Sequence, residues 1–339
     1  MKLSALIAQL SGRVVPPDRG GDPDIAQVAY RSQDAGPGAL FVAIPGIRAD
    51  GHDFIRTAAE NGAAAVIAEK PVSTALPLVQ VANSRVALAE AAAAFFGHPS
   101  REMTLIGVTG TNGKTTTVHI VEHVLNASGR ATGVIGTLGY RFGGTTHPLP
   151  VTTPESRDLQ EILHHMRSAG VTHVVMEVSS HAIDQHRAWA CAFDVGVFTN
   201  LSHDHLDYHG DIAAYWACKK RWFTDMLASS VNEKPAVAVI NTGDARGAEL
   251  VEDLGRGVPP LPVITVNRSA AADVTASTTQ YRQDGLTARL ETPAGPIDLH
   301  CPLVGPHNLD NILGAVAVGC ALRIPLEQIQ AALAEAPQI

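Results

Sequence analysis

The stretch Thr104-Leu105-Ile106-Gly107-Val108-Thr109-Gly110-Thr111-Asn112-Gly113-Lys114-Thr115-Thr116 decides the fold. Its first six residues form an apolar strand, and an amphipathic helix is predicted over 115–127. The glycines between let the backbone turn so that successive N–H groups face one point. The helix N-terminus adds partial positive charge there. Such a loop, Gly110 to Thr116, cradles phosphates, with Lys114 reaching the β- and γ-phosphates and the Thr115 hydroxyl suited to Mg²⁺. The general pattern G-x-x-x-x-G-K-[ST] asks for glycine at 108, where this chain has Val108. The G-K-T step and its strand–loop–helix setting remain. The competing reading is a glycine-rich turn before an ordinary helix.

Outward from this unit, apolar strands alternate with helices. Strands are predicted at 131–135, 173–178, 195–199 and 236–240, and helices at 158–169 and 212–227. That alternation implies an α/β fold with a central, doubly wound, mostly parallel sheet. Residues 262–304 alternate Thr, Val and Arg between glycine turns, as in an antiparallel flap. Helices close the chain at 308–322 and 326–334. Residues 1–100 form a separate small α/β domain, with strands at 39–44 and 64–68 and helices at 51–61 and 82–96. Gly97-His98-Pro99-Ser100 breaks the pattern, so two domains are expected, 1–100 and 101–339.

The 339 residues carry 25 Lys and Arg against 33 Asp and Glu, a net charge of −8. This balance, without a basic run, argues against nucleic acid or an anionic membrane as partner. An anionic substrate must then meet lysines, arginines, helix ends or a metal placed locally. Cys191, Cys218, Cys301 and Cys320 are scattered, with no C-x-x-C pair. They fit a reducing compartment better than a disulfide framework. The start Met1-Lys2-Leu3-Ser4 has no apolar leader, and no run is long enough to span a bilayer. A cytoplasmic monomer is expected.

Ligands of an open α/β sheet bind beyond the carboxyl ends of its strands. At one such end stands Glu177, either a second oxygen ligand for Mg²⁺ or a solvated loop carboxylate. At the next, residues 203–209 hold His203, Asp204, His205, Asp207 and His209. This is metal-ligand chemistry, and one reading is a metallo-hydrolase of the H-x-H-x-D-H kind. His203, His205 and Asp207 fit it, but Tyr208 stands where its last histidine belongs. Any one of these histidines is equally readable as structural. Lys219 follows in a helix with Tyr215, Trp216 and Trp222. It is readable as a desolvated, reactive amine or as a lysine snorkelling to solvent.

Five islands in this order resemble the Mur ligases: G-T-N-G-K-T-T, T-T-P-E-S (152–156), M-E-V-S-S-H-A-I-D-Q-H-R (176–187), T-N-L-S-H-D-H-L-D-Y-H-G-D (199–211) and G-P-H-N-L-D-N (305–311). Their wording most resembles the MurE type, which joins an amino acid to UDP-N-acetylmuramoyl-L-alanyl-D-glutamate in peptidoglycan synthesis. The resemblance implies that ATP phosphorylates the D-Glu side-chain carboxylate. The amine of a diamino acid then attacks the acyl phosphate, and phosphate leaves. It implies that Lys114, Thr115 and Mg²⁺ meet the phosphates and that Glu177 and His205 bind metal. It further implies that CO₂ carbamylates Lys219 into a carboxylate-like ligand, and that Asn308 and Asn311 contact adenine. Lys114, His205 and Lys219 are the catalytic set it implies. Substrate-facing positions carry over as Ser32, Ile47, Arg48, Ala49, Thr152, Thr153, Ser179, Gln185 and Arg187, the last suited to pairing an anionic group.

Two departures stand out. Arg31-Ser32-Gln33 replaces the usual D-S-R, which weakens the carry-over for the uridine end. Family members also continue into a Rossmann-like domain that binds the amino acid, and this chain ends at Gln338-Ile339. The expectation is therefore weak ATP binding without completed ligation by this chain alone. The residues that choose meso-diaminopimelate or lysine lie in that domain; meso-diaminopimelate, the commoner choice in the family, is taken here. Another Mur ligase or a folylpolyglutamate synthetase is the neighbouring alternative, against which T-T-P-E-S and S-S-H-A-I-D-Q-H-R argue. A nucleotide-binding module without ligase activity is the alternative from another class.

Overall fold

The strand at Thr104–Thr109 lies inside an eleven-stranded sheet of the computed structural model, which describes residues 1–12, 14–16, 21–46, 49–230, 233–257 and 260–337. Its neighbours are His173–Glu177 on one side and Val195–Phe198 on the other, both parallel to it. Thr132–Gly136 continues the parallel run beyond the first neighbour. Val237–Asn241, Val263–Asn267 and Val274–Arg282 continue it beyond the second. All but the first residue of Thr104–Thr109 are buried. Continuous apolar strands of this kind require cover on both faces.

One cover comes from the helices Lys114–Ala127, Pro306–Ala321 and Leu326–Ala334. Their buried Val121, Val124, Ile312, Leu313 and Leu333 share a core with Ile106, Val108, Val197 and Val239. On the opposite face Trp222 lies flush against the strands. A Cβ on Gly107 would stand 2.5 Å from its Cζ2. The helix expected over 212–227 is α-helical only over Ile212–Arg221 and becomes a π-helix over Trp222–Leu227.

The residues read as a flap are strands Gly285–Glu291 and Ile297–Cys301, added antiparallel to Val274–Arg282 as an extension of the same sheet. The opposite margin is a second antiparallel pair, Gly139–Phe142 and Thr145–His147, which the sequence reading passed over. Chain order reverses at the centre. Thr104–Thr109 leads through its helix to Thr132–Gly136 on one side, whereas Val195–Phe198 leads to Val237–Asn241 on the other. The crevice between their carboxyl ends is a topological switch point, where such sheets bind ligands.

This sheet belongs to a unit of Ser100–Thr153, Met166–Asp184 and Ala192–Ile339. The other unit consists of Met1–Pro99 with Pro154–His165 and Gln185–Cys191. Its five-stranded sheet runs Val14–Val15, Leu78–Val81, Ala63–Ala68, Ala39–Val42, Gln27–Ala29, parallel except for the first strand. Asn83 caps its helix Ser84–Phe95 by accepting from the Arg85 and Val86 N–H groups.

Candidate nucleotide site

The phosphate loop is shaped by the loop that follows the adjacent strand. Thr199 Oγ1 donates to the Asn112 carbonyl (2.7 Å), and the Asn112 N–H donates to Asn200 Oδ1 (3.0 Å). The Thr111 N–H donates to the Asn200 carbonyl (2.8 Å). Gly110 has φ +143° and Gly113 has φ +83°, conformations that disfavour a side chain. Space forbids one as well: a Cβ on Gly110 would lie 1.9 Å from Thr199 Oγ1, and one on Gly113 would lie 2.3 Å from Asn311 Oδ1. Asn241 holds this support from behind, its Nδ2 donating to the Thr199 carbonyl at 2.8 Å.

Two lysines converge on one carbonyl. Lys114 Nζ donates to the carbonyls of Gly110 (3.1 Å) and Thr111 (2.8 Å), and Lys219 Nζ donates to Gly110 (2.9 Å). Lys219 is 1% exposed and sits 4.7 Å above the Tyr215 ring. It does not snorkel. Burial, with the Lys114 charge beside it, pushes its amine down to about 7. Burial also lowers Lys114, against the opposing pull of Glu177 and Asp204.

Glu177 is a buried carboxylate, not a solvated one, at 2% exposure. Its Oε1 accepts from the Thr115 hydroxyl (3.0 Å) and the Thr137 N–H (2.9 Å), and its Oε2 accepts from the Thr137 hydroxyl (3.2 Å). Thr137 Oγ1 also meets Thr152 Oγ1 at 3.2 Å. Thr153 Oγ1 donates to the Glu177 carbonyl (2.9 Å) and accepts from the Ser179 N–H (3.1 Å). The expected Thr152, Thr153 and Ser179 thus gather around Glu177.

The His-rich island is not a closed metal centre. Among the described residues no three His, Cys, Asp or Glu side chains form a group that could hold a metal ion. His203 and Asp207 are exposed, and His205 packs against His181 (ring centroids 5.1 Å) and Tyr215 (6.1 Å). The H-x-H-x-D-H reading is therefore set aside. Thr115 and Glu177 do fit Mg²⁺, which is held by one or two carboxylates together with phosphate oxygens and water. Beside the loop lies a cavity of about 480 Å³ whose lining includes Gly113, Thr117, Asn241, His307 and Asn311. Asn311 accepts from Thr117 (3.3 Å) and donates to Asn308 (3.2 Å).

The remaining expected residues lie in the other unit. Ser32 and Ala49 line a cleft of about 220 Å³ with Tyr30 and Phe41, while Ile47 and Arg48 lie outside the described residues. Arg187 donates to Gln185 Oε1 (2.6 Å) and lies 3.8 Å from Glu155, which also pairs with Arg85 at 3.0 Å.

Residues 108–319 match the Mur ligase middle domain, and residues 24–116 match the Mur ligase family catalytic domain. The chain belongs to the Mur ligase family. It is 42% identical over 323 residues to the UDP-N-acetylmuramoyl-L-alanyl-D-glutamate–2,6-diaminopimelate ligase of Geobacter metallireducens, covering 94% of this chain and 62% of that protein. It is also 42% identical to the ligase of the same name from Geobacillus thermodenitrificans, covering 98% of this chain and 67% of the relative. A solved structure of a ligase with that name superimposes with a TM-score of 0.83 at 26% identity, over 93% of this chain and 63% of its own. The chain thus spans about two thirds of the length of these Mur ligases.

Sequence reading missed several residues in each unit of this Mur ligase chain. Thr137 directly follows a strand that was recognised, so its place at a carboxyl edge was the available signal. Glu155 lay within the quoted T-T-P-E-S island without a role. Asn241 and Arg85 carried no local signal, because their partners Thr199 and Glu155 are 42 and 70 residues away in the chain.

Proposed function

We propose that this chain serves the ATP-dependent joining of 2,6-diaminopimelate, in its meso form, to the D-Glu side-chain carboxylate of UDP-N-acetylmuramoyl-L-alanyl-D-glutamate. The buried Lys219 amine on the Gly110 carbonyl carries this reading. A module that only bound nucleotide would gain nothing from a second buried lysine under its phosphate loop. With its amine lowered to about 7, Lys219 is substantially uncharged at neutral pH and nucleophilic. Its nitrogen adds to CO₂, forming the N–C bond of a carbamate and releasing one proton. Lys114 then faces an anion where it now faces an amine.

The loop N–H groups and the start of helix Lys114–Ala127 bind the phosphates. Lys114 exchanges its two carbonyl acceptors for phosphate oxygens. Thr115, Glu177, His205 and carbamylated Lys219 would hold Mg²⁺, which when bound neutralises charge on the transferring phosphoryl group. Asn308 and Asn311 take the adenine side. Phosphoryl transfer yields ADP and an acyl phosphate on the D-Glu carboxylate; attack by the diaminopimelate amine expels phosphate and forms the amide. Ser32, Ile47, Arg48, Ala49, Thr152, Thr153, Ser179, Gln185 and Arg187 face the UDP-muramoyl peptide. The unit of Met1–Pro99, Pro154–His165 and Gln185–Cys191 acts as the UDP-sugar domain, in place of the expected 1–100, and the unit that carries the phosphate loop acts as the ATP domain. The setting is the cytoplasm: the four cysteines are free, and no described helix is long and apolar enough to cross a membrane.

The test is a ligation assay on the whole gene product with ATP, UDP-N-acetylmuramoyl-L-alanyl-D-glutamate and either 2,6-diaminopimelate or lysine. Amide product and ADP with diaminopimelate are expected. No ADP release with either amino acid overturns the reading. Lys219→Ala should lower the rate at least about a hundredfold, the order seen when transition-state charge stabilisation is lost. Wild-type turnover in that variant removes the carbamate.

A further inference from the structure

We infer that Thr137 is a positioning residue that holds the Glu177 carboxylate in place and fixes the hydrogen-bond polarity of the Thr152 hydroxyl. The inference rests on the reading of Thr115 and Glu177 as magnesium-facing groups and adds a residue to it. The argument is proton accounting. A carboxylate only accepts, whereas a threonine hydroxyl has one proton to give and lone pairs that accept. Glu177 Oε1 takes the Thr115 hydroxyl proton and the Thr137 N–H, and Oε2 takes the Thr137 hydroxyl proton. Thr137 then has no proton left for its 3.2 Å contact with Thr152 Oγ1, so Thr152 supplies the one in that bond.

Two consequences follow. Thr115 donates to the carboxylate that Thr137 holds, which leaves the Thr115 lone pairs for a cation. Thr152 has given its proton to Thr137 and presents lone pairs, so it reads a hydrogen-bond donor on the substrate peptide, not an acceptor. Thr137 links the two through one side chain. The preceding glycine makes room for this arrangement, since a Cβ on Gly136 would lie 2.5 Å from Glu177 Oε1. Removing the Thr137 hydroxyl frees Oε2 of its side-chain donor and leaves Thr152 free to donate. A group that orients a metal ligand in this way commonly changes metal affinity 10- to 100-fold.

The experiment uses Mn²⁺ as the probe, titrated into the full chain with ADP and followed by the electron paramagnetic resonance of free Mn²⁺. ADP affinity is measured separately without metal. Thr137→Val should weaken Mn²⁺ in the ADP complex on the order of tenfold and leave metal-free ADP affinity unchanged. Thr137→Ser, which keeps the hydroxyl, should restore wild-type Mn²⁺ affinity. Wild-type Mn²⁺ binding in Thr137→Val overturns the proposal, as does a loss of metal-free ADP affinity by the same factor. Glu177→Gln separates the two levels. If it weakens Mn²⁺ while Thr137→Val does not, only the role of Thr137 falls. If Glu177→Gln leaves Mn²⁺ affinity unchanged, the metal reading fails and takes the proposal with it.

Discussion

Lys219 shows how position overrides residue type. A lysine in a helix normally extends its charge to water, yet this one ends on the Gly110 carbonyl inside the unit. Its amine titrates near 7 in the folded chain, against about 10.4 for an unfolded lysine. Between these values the unfolded state binds more protons, so this group makes stability rise with pH. Below pH 7 the full cost of burying the charge is present. Lys219→Met should therefore stabilise the chain by about 2–4 kcal/mol near pH 6 in CO₂-free buffer, with the gain shrinking toward pH 10. Denaturant unfolding at the two pH values checks this, and an equal gain at both would contradict the buried-cation account. Lys114 still satisfies the Gly110 carbonyl in that variant.

At the scale of elements, the phosphate loop takes its shape from other loops as well as its own glycines. Thr199 and Asn311 occupy the volumes that side chains on Gly110 and Gly113 would need. Gly110→Ala and Gly113→Ala should each weaken ADP by tenfold or more, about 1.4 kcal/mol, measured calorimetrically. An alanine variant that binds like wild type would show that the loop tolerates a different shape. The helix predicted as one piece over 212–227 changes pitch at Trp222, where the indole must lie against Gly107. Hydrophobic periodicity placed that helix but carried no sign of the change, because the packing partner is 115 positions upstream.

At the scale of the molecule, nucleotide binding acts on one of the two units. ADP at a hundred times its Kd should add about 2.7 kcal/mol to the unfolding free energy of the unit it binds. Amide hydrogen exchange should slow in Thr104–Thr109 and Val195–Phe198 and remain unchanged in Ala39–Val42 of the other sheet. Equal protection of both sheets would mean that the units open as one cooperative body. Expected and observed elements agree best where strands are buried on both faces. They diverge at the sheet margins, where the pair Gly139–Phe142 and Thr145–His147 is short and partly exposed and so has little apolar pattern to read.

The sequence by itself determined the phosphate loop, the alternation of strand and helix, and the set of polar residues at the strand ends. Each of these is written in local spacing, in glycine content or in an ordered motif. Only the tertiary structure decided that Glu177 is buried beneath two threonine hydroxyls, that Lys219 turns inward to share a carbonyl with Lys114, and that the histidines at 203–209 do not close on a metal by themselves. Those outcomes depend on which strand lies beside which and on the volume left between them. Such long-range contacts set burial and charge at each group, and no local run of residues records them.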